Sequence, residues 1–238
     1  MNIEERFVYE DTFLPGFKKE PIYYNWDQPL KDCRPMYRKY LPLVRVLLKT
    51  RYSQVTYIGT ENIPQTGGYI IAANHQSTGD PLNIINAMNG FRPMYIMANE
   101  IFFHTPVFRN FFYKANVFPV DRFRADLEPL KFAVRVIKEG YPFVLFPQGM
   151  RDMTRNRPKN FLPGAAMIAR DAQADILPVS IHLSHTYGKR PICVIRFGEL
   201  IPFEDLGFTP NTRKARELKA ATQLIQEKVA KLWDMDIL

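Results

Sequence analysis

The sequence predicts an α/β fold in which a mostly parallel central sheet is flanked by helices. Short apolar runs alternate along the chain with longer segments whose apolar residues recur at helical spacing. Two of these runs, 143–146 (FVLF) and 176–181 (ILPVSI), are apolar almost throughout, which is typical of strands buried on both faces. The 238 residues, of which 46% are hydrophobic, are enough for one domain with its own core.

The N-terminal part of the chain differs from the rest. Residues 1–32 are rich in Pro and aromatic residues, which predicts an extended arm that lies on the domain or is partly disordered. Residues 36–52 combine apolar residues at helical spacing with basic flanks. They fit an interfacial amphipathic helix on anionic lipid or, equally well, a surface helix kinked by Pro42. We therefore divide the chain into residues 1–52 and a globular domain of residues 53–238.

The elements of the globular domain follow from the apolar pattern. Strands are expected at residues 55–58, 69–73, 117–120, 143–146, 176–181 and 192–197, and residues 94–97 form a further short apolar run. Helices are expected at residues 81–88, 100–114, 125–139 and 211–233. Strands that alternate with helices imply a mostly parallel sheet, with functional side chains at the carboxyl ends of its strands.

Residues 74–81 (NHQSTGDP) carry the chain from a buried strand into a polar loop. His75 can exchange a proton near neutrality, and Asp80 can meet it only if the chain bends, which Gly79 allows. A carboxylate bound to one ring nitrogen fixes the tautomer and makes the other nitrogen a better base. Alternatively, Asp80 caps a helix that begins at Pro81, and His75 is an ordinary loop histidine.

Polar residues follow three other predicted strands. Asp121 and Arg122 follow residues 117–120, residues 147–151 (PQGMR) follow the next strand, and Ser180 and His182 lie at the end of a third. An arginine can donate two hydrogen bonds to one phosphate, and a glycine turn can present backbone N–H groups to an anion. Taken singly, the Asp-Arg pair is also explained as a local ion pair, and the arginine of the turn as a solvated loop charge.

With these blocks in this order, the chain resembles the 1-acylglycerol-3-phosphate acyltransferase (lysophosphatidic acid acyltransferase) family of glycerolipid acyltransferases. The resemblance extends from about residue 54 to about residue 200. The matching blocks are Asn-His-x4-Asp at 74–80, VFPVDR at 117–122, FPQGMR at 146–151, FLPGA at 161–165 and LPV at 177–179.

The resemblance implies transfer of a fatty acyl group from acyl-CoA or acyl carrier protein to the hydroxyl of a lysophospholipid, without an acyl-enzyme. The favoured acceptor is 1-acylglycerol-3-phosphate, which would give phosphatidic acid. His75 would be the general base and Asp80 would orient it. Acceptor and phosphate binding would fall to Arg122, Gln148, Gly149 and Arg151, and the donor or acyl pocket would include Asn74, Phe146, Pro147, Gly164 and Pro178. No metal or further cofactor is expected, because a thioester is already activated.

The chain departs from the family pattern on the acceptor side. Gln148 stands where the family usually has Glu, Met150 replaces Thr, and Leu162 replaces a frequent Lys. An amide offers one acceptor oxygen and two donors, whereas a carboxylate only accepts. One alternative is therefore an O-acyltransferase that acts on another lipid or on a glycosylated acceptor. A second alternative is a non-catalytic lipid-binding protein, against which the intact His75/Asp80 pair argues.

The net charge of +8 and the isoelectric point near 9.4 predict an anionic partner. We expect an anionic membrane surface, contacted by residues 34–51 and 101–118, and a peripheral location on the cytoplasmic face. Nucleic acid is not expected, because the basic residues coincide with apolar helix stripes. No apolar run is long enough to cross a bilayer, and no secretory signal is visible. Cys33 and Cys193 are predicted to be reduced thiols.

Overall fold

The computed structural model describes residues 22–121, 126–184, 190–210 and 212–235. The strands are β1 (Gln54–Ile58), β2 (Ile70–Ala73), β3 (Tyr95–Asn99), β4 (Val117–Val120), β5 (Phe143–Leu145), β6 (Ile176–Leu183) and β7 (Ile192–Phe197). The α-helices are α1 (Arg34–Arg51), α2 (Asp80–Ala87), α3 (Pro106–Lys114), α4 (Glu128–Lys138), α5 (Gly164–Ala172) and α6 (Ala215–Trp233). Short 3-10 helices lie at Thr60–Asn62, Glu100–Phe103 and Phe203–Leu206.

The strands form one sheet in the order β1-β7-β6-β2-β5-β3-β4. Every neighbouring pair is parallel except β6 and β7, so the predicted α/β fold with a mostly parallel sheet is confirmed. β2 pairs with β5 on one side and with β6 on the other. The carboxyl ends of these three parallel strands therefore meet at one edge of the sheet.

The sheet separates two hydrophobic cores, because successive residues of a strand point to opposite faces. Ile71 belongs to the core on the side of α1 and α2, together with Tyr37 and Ile84. Ile70 belongs to the other core, where α4, α5 and α6 contribute side chains that include Val136, Ile168 and Ile225. Both faces are thus covered by helices, which explains why the central strands are apolar throughout.

Most predicted elements are present, with shifts at their ends and one omission. The single helix predicted at 100–114 is wrong, because this stretch forms the 3-10 helix Glu100–Phe103 and then α3 (Pro106–Lys114). Helix α5 was not expected from the sequence. The helix predicted at 125–139 begins at Glu128, whose backbone N–H donates to the side chain of Asp126. Residue 125 lies outside the described residues. The last helix begins at Ala215, four residues later than predicted.

Helix α1 packs on the domain and also leaves an apolar side uncovered. Tyr37, Leu41 and Leu48 are buried, whereas Leu43 and Val46 are 54% and 56% exposed. The helix continues through Pro42. It therefore combines a packed side, as in an ordinary surface helix, with an exposed apolar side, as in an interfacial one.

The described part of the N-terminal arm, residues 22–32, is irregular and lies on the domain. Tyr24 is buried there, and its ring centroid lies 5.5 Å from that of Phe132 and 5.2 Å from that of Tyr113. Aromatic contacts of this kind explain the density of aromatic residues in a segment without regular structure.

Candidate active site

Asn74 fixes the end of β2 to the neighbouring strand. Its side-chain amide donates to the carbonyl of Ile181 (2.8 Å), and its side-chain oxygen accepts from the N–H of the same residue (2.7 Å). The side chain is buried, so both contacts are made away from water. The sequence predicted that Asn74 lies in the pocket for the acyl donor. In the structure, both polar groups of its side chain are hydrogen-bonded to the backbone of β6.

One carboxylate oxygen of Asp80 contacts three groups of the loop that follows β2. Oδ2 lies 2.8 Å from Nδ1 of His75 and accepts from the backbone N–H groups of Gln76 (2.7 Å) and Ser77 (2.8 Å). The Asp80 side chain is fully buried, and that of His75 is 19% exposed. Three donors on one buried oxygen hold this carboxylate in a single orientation.

The imidazole of His75 is held on a second side by Phe146. The two rings are stacked, with centroids 4.2 Å apart and planes inclined by 23°. A carboxylate at Nδ1 favours the tautomer whose proton is on Nδ1, and the lone pair then lies on Nε2. The ring is therefore oriented as a general base requires.

The structure corrects the explanation of how His75 and Asp80 meet. Gly79 has φ of −81°, which any residue can adopt, so the contact does not depend on an unusual glycine conformation. A side chain is excluded here for another reason, because an added Cβ would lie 2.6 Å from the hydroxyl of Tyr52. Asp80 is the first residue of α2 and makes no side-chain cap, since its carboxylate faces back to the loop. The helix-cap alternative is therefore wrong.

The turn after β5 is bonded to the backbone of His75. Oε1 of Gln148 accepts from the N–H of His75 (2.8 Å), and the N–H of Asp152 donates to the carbonyl of His75 (2.7 Å). Sequence reasoning placed Gln148 opposite the acceptor. In the structure its carbonyl oxygen already has a partner in the protein, and its side-chain NH₂ can only donate.

The same turn carries apolar side chains on its outer side. Gly149 has φ of +72°, and an added Cβ would lie 2.8 Å from Cδ1 of Leu162. Leu162 also donates its backbone N–H to the carbonyl of Pro147 (2.7 Å). Leu162 and Met150 are 55% and 45% exposed, respectively. The surface around Gly149 therefore includes exposed apolar side chains.

The remaining predicted site residues lie at different distances from this centre. Arg122 lies outside the described residues. Arg151 is half-buried in the turn after β5, and Gly164 is the first residue of α5. Pro178 lies within β6, where its carbonyl accepts from the N–H of Gly198 (2.9 Å). The structure thus joins His75, Asp80, Phe146 and Gln148 by direct contacts, and it shows no such contact for Pro178.

Sequence reasoning missed Ser77 of the loop and two residues that contact it. The side chains of Arg51 and Tyr52, at the end of α1, both contact Oγ of Ser77 at 2.9 Å. Ser77 lies inside the Asn-His-x4-Asp block, and its hydroxyl group was the only feature of the sequence that could have indicated a role for it. The two residues from α1 lie outside every block, so only the three-dimensional structure reveals them.

Among the described residues, no group of three or more His, Cys, Asp or Glu side chains is arranged to hold a metal ion. The expectation of chemistry without a metal stays a prediction. Cys33 and Cys193 are free and buried, and burial raises the pKa of both thiols. In the part of the chain that the structure describes, no helix is both long and apolar enough to cross a membrane.

Comparison with known proteins identifies the family. The sequence model of the acyltransferase family matches residues 54–182, which include the His75–Asp80 loop, the turn after β5 and most of β6. The chain belongs to the acyltransferase family. The match covers more than half of this acyltransferase and coincides with the predicted blocks.

Individual relatives share less than a third of their aligned residues with this chain. A 1-acyl-sn-glycerol-3-phosphate acyltransferase of Bacillus subtilis is 26% identical over 205 residues, which cover 83% of this acyltransferase and 96% of the relative. A probable enzyme of the same name from Mycoplasma pneumoniae is 29% identical over 150 residues, which cover 61% of this chain and 55% of that protein.

A solved structure has the same fold. The crystal structure of the 1-acyl-sn-glycerophosphate (LPA) acyltransferase PlsC from Thermotoga maritima superposes with a TM-score of 0.60 at 24% identity. The superposition covers 86% of this acyltransferase and 85% of that chain. At this level of identity the likeness shows the fold alone.

Proposed function

We propose that this acyltransferase transfers a fatty acyl group from a thioester, acyl-CoA or acyl carrier protein, to the free hydroxyl of a lysophospholipid. The favoured acceptor is 1-acylglycerol-3-phosphate, and the product is phosphatidic acid. The observation that carries the proposal is the His75–Asp80 contact of 2.8 Å, which leaves Nε2 as the basic nitrogen. The names of the relatives, one of which this chain covers over 96% of its length, support the choice of acceptor.

The proposed reaction is a direct acyl transfer with His75 as general base. Nε2 of His75 takes the proton of the acceptor hydroxyl while the hydroxyl oxygen attacks the thioester carbonyl. The resulting tetrahedral oxyanion collapses, the carbon–sulfur bond breaks, and the ester is formed. The leaving thiolate takes the proton from His75, so the enzyme returns to its initial state. Asp80 stabilises the imidazolium that exists between the two proton transfers.

The phosphate of the acceptor requires a cationic partner. Arg151, in the turn bonded to His75, and Arg122, after β4, remain the proposed partners. A guanidinium can donate two parallel hydrogen bonds to one phosphate, and it is more weakly hydrated than an ammonium. The role of Arg122 rests on the resemblance alone, since it lies outside the described residues.

A lipid substrate requires access from a membrane, and two helices present an exposed apolar surface. We call it the docking patch, and it consists of Tyr40, Leu43, Val46 and Leu47 of α1 with Val107, Phe108 and Phe111 of α3. The rings of Tyr40 and Phe111, with centroids 5.8 Å apart, join the two halves. An apolar surface on a chain of net charge +8 is suited to the headgroup region of an anionic bilayer. We propose that the enzyme docks peripherally by this patch, on the cytoplasmic face.

A second candidate acceptor is favoured by exposed apolar side chains at the turn after β5. Met150 and Leu162 are exposed there, where the family usually has Thr and often Lys. An acceptor without a phosphate, such as another lipid or a glycosylated molecule, would suit these side chains better. The reaction and the role of His75 would be unchanged.

One assay separates the two acceptors. The purified enzyme is incubated with labelled acyl-CoA or acyl carrier protein and with a panel of lysolipids, and the products are identified by mass spectrometry. Formation of phosphatidic acid supports the favoured acceptor. Transfer only to acceptors without phosphate would exclude it, and transfer to no acceptor would exclude both candidates.

Gln148→Glu tests whether the amide selects the acceptor. The variant keeps the oxygen that accepts from the N–H of His75 but replaces the NH₂ by a second acceptor. If the amide disfavours lysophosphatidate, the rate with this acceptor rises in the variant. An unchanged or lower rate would show that Gln148 is already suited to it.

A further inference from the structure

The carboxyl end of α1 is hydrogen-bonded to the loop that carries His75 and Asp80. Nε of Arg51 donates to Oγ of Ser77 (2.9 Å), and the hydroxyl of Tyr52 lies 2.9 Å from the same oxygen. Tyr52 is 2% exposed and Ser77 is 4% exposed, so their contact is shielded from water. Shielded contacts of this kind are stronger and better defined than those on a surface.

The direction of each bond at Ser77 follows from the number of its protons. A serine hydroxyl has one proton and two acceptor lone pairs. Oγ accepts from Nε–H of Arg51 and from the backbone N–H of Gly79 (3.1 Å), and neither of these groups can do anything but donate. The proton of Ser77 must therefore go to the oxygen of Tyr52. Burial raises the pKa of Tyr52, so its phenol stays neutral in this arrangement.

Ser77 connects this cluster to the proposed catalytic pair. Its backbone N–H donates to Oδ2 of Asp80 (2.8 Å), the oxygen that contacts Nδ1 of His75. The hydroxyl of Tyr52 also lies against the backbone at Gly79, where an added Cβ would be only 2.6 Å away. A shift at the end of α1 would therefore move the loop that holds Asp80.

We propose that Tyr52 and Arg51 are positioning residues for acyl transfer, which hold Ser77 and, through it, orient Asp80 against His75. The proposal rests on the proposed function, because it takes His75 as the base. It gives α1 two roles, since the helix that carries half of the docking patch also fixes the catalytic loop. Neither residue contacts the reacting atoms.

The main test compares Tyr52→Phe with Tyr57→Phe. Tyr57 is a matched control, because its hydroxyl donates to Asn83 (3.2 Å) and accepts from Asn86 (2.8 Å), both in α2, instead of bonding to Ser77. With lysophosphatidate in detergent micelles, Tyr52→Phe is expected to lower kcat about tenfold with KM within about twofold. Tyr57→Phe is expected to change kcat by less than about twofold. Equal effects of the two variants would overturn the proposal.

A second pair keeps the test informative if Tyr52→Phe does not fold. Arg51 and Arg45 both lie on the exposed side of α1, but the guanidinium of Arg45 donates to Asn86 and Asn89 instead of the loop. Arg51→Ala is expected to lower kcat, and Arg45→Ala, which has the same net charge, is expected to leave it unchanged. A raised KM with an unchanged kcat in Arg51→Ala would overturn the proposal, because it would mean that Arg51 binds the acceptor.

The effect of Tyr52→Phe must also depend on Asp80. In an Asp80→Asn background, Tyr52→Phe is expected to lower kcat by no more than about twofold further, because groups that act as a unit are not additive. An undiminished tenfold loss in that background would assign Tyr52 a merely structural role. The proposed function fails separately, if His75→Ala remains active or the wild type transfers no acyl group.

Discussion

Oδ2 of Asp80 serves both the proposed chemistry and the local structure of the loop. It is the acceptor for His75 and also for the backbone N–H groups of Gln76 and Ser77. The side chain that is proposed to orient the base thus also closes the loop that carries His75. A substitution at Asp80 therefore acts on the geometry of the loop as well as on the imidazole.

Asp80→Asn is expected to lower kcat by about 10²–10⁴, because His75 would lose most of its contribution as general base without the carboxylate that orients it. If the amide oxygen takes the place of Oδ2, it carries no negative charge and stabilises the imidazolium less than the carboxylate does. If the NH₂ takes that place, it faces three donors, the two backbone N–H groups and Nδ1–H, and no hydrogen bond can form. Steady-state kinetics with lysophosphatidate measure the loss, and circular dichroism shows whether the variant is folded. A folded variant with more than about a third of the wild-type kcat would contradict the role of Asp80.

The two cysteines provide a test of burial that is independent of catalysis. Burial raises the pKa of Cys33 and Cys193, so the thiolate fraction near pH 8 is smaller than that of an exposed thiol. We expect the native enzyme to resist iodoacetamide at this pH and to keep its activity, whereas the urea-unfolded chain is alkylated at both positions. Mass spectrometry counts the adducts, and rapid labelling of the native protein would contradict the buried placement.

At the scale of the elements, the strands were predicted best. The positions of β2, β4, β5, β6 and β7 follow from apolar runs, since a strand that is buried on both faces has to be apolar. Helix α5 was missed because its buried residues include Ala165, Ala166 and Ala169, which give little hydrophobic periodicity. The antiparallel pairing of β6 and β7 also could not be predicted, because pairing depends on contacts between distant segments.

The candidate site was predictable in part for the same reason. The His75–Asp80 pair lies within one short block, so its residue types and spacing suggest it. The bond from the His75 backbone to Gln148 joins residues 73 positions apart, and the contacts of Ser77 with Tyr52 join two separate elements. No local pattern encodes such contacts, which depend on how β2, β5 and α1 are placed in space.

Phe108→Ser tests the docking patch on α3. Phe108 is 58% exposed, and Leu127, at 56% but outside the patch, provides the matched control. The loss of one buried apolar side chain costs about 1.5 kcal/mol or more, which is roughly tenfold in vesicle affinity. Flotation with vesicles that contain anionic lipid is expected to show this loss for Phe108→Ser and no loss for Leu127→Ser. Equal binding of both variants would contradict docking by this patch.

At the scale of the whole molecule, the order of the strands places the site. β2 lies between β5 and β6 and is parallel to both, with Ala72 opposite Leu145 and Ala73 opposite Val179. The loop after β2 and the turn after β5 therefore emerge side by side and bond to each other through His75. Helix α1 reaches the same edge from outside the sheet. The polar loop and the glycine turn thus both bond to His75, and the end of α1 contacts the same loop through Ser77.

We propose that His75 is the base for acyl transfer to a lysophospholipid hydroxyl. The most direct measurement is the rate at which His75→Ala forms phosphatidic acid from lysophosphatidate and a labelled acyl thioester, compared with the wild type. His182→Ala is the control, because it removes another imidazole of the chain, which stacks on Trp233 of α6. We predict a loss of about 10²–10⁴ in kcat for His75→Ala and little change for the control. A folded His75→Ala enzyme with a rate within about threefold of the wild type would contradict the claim.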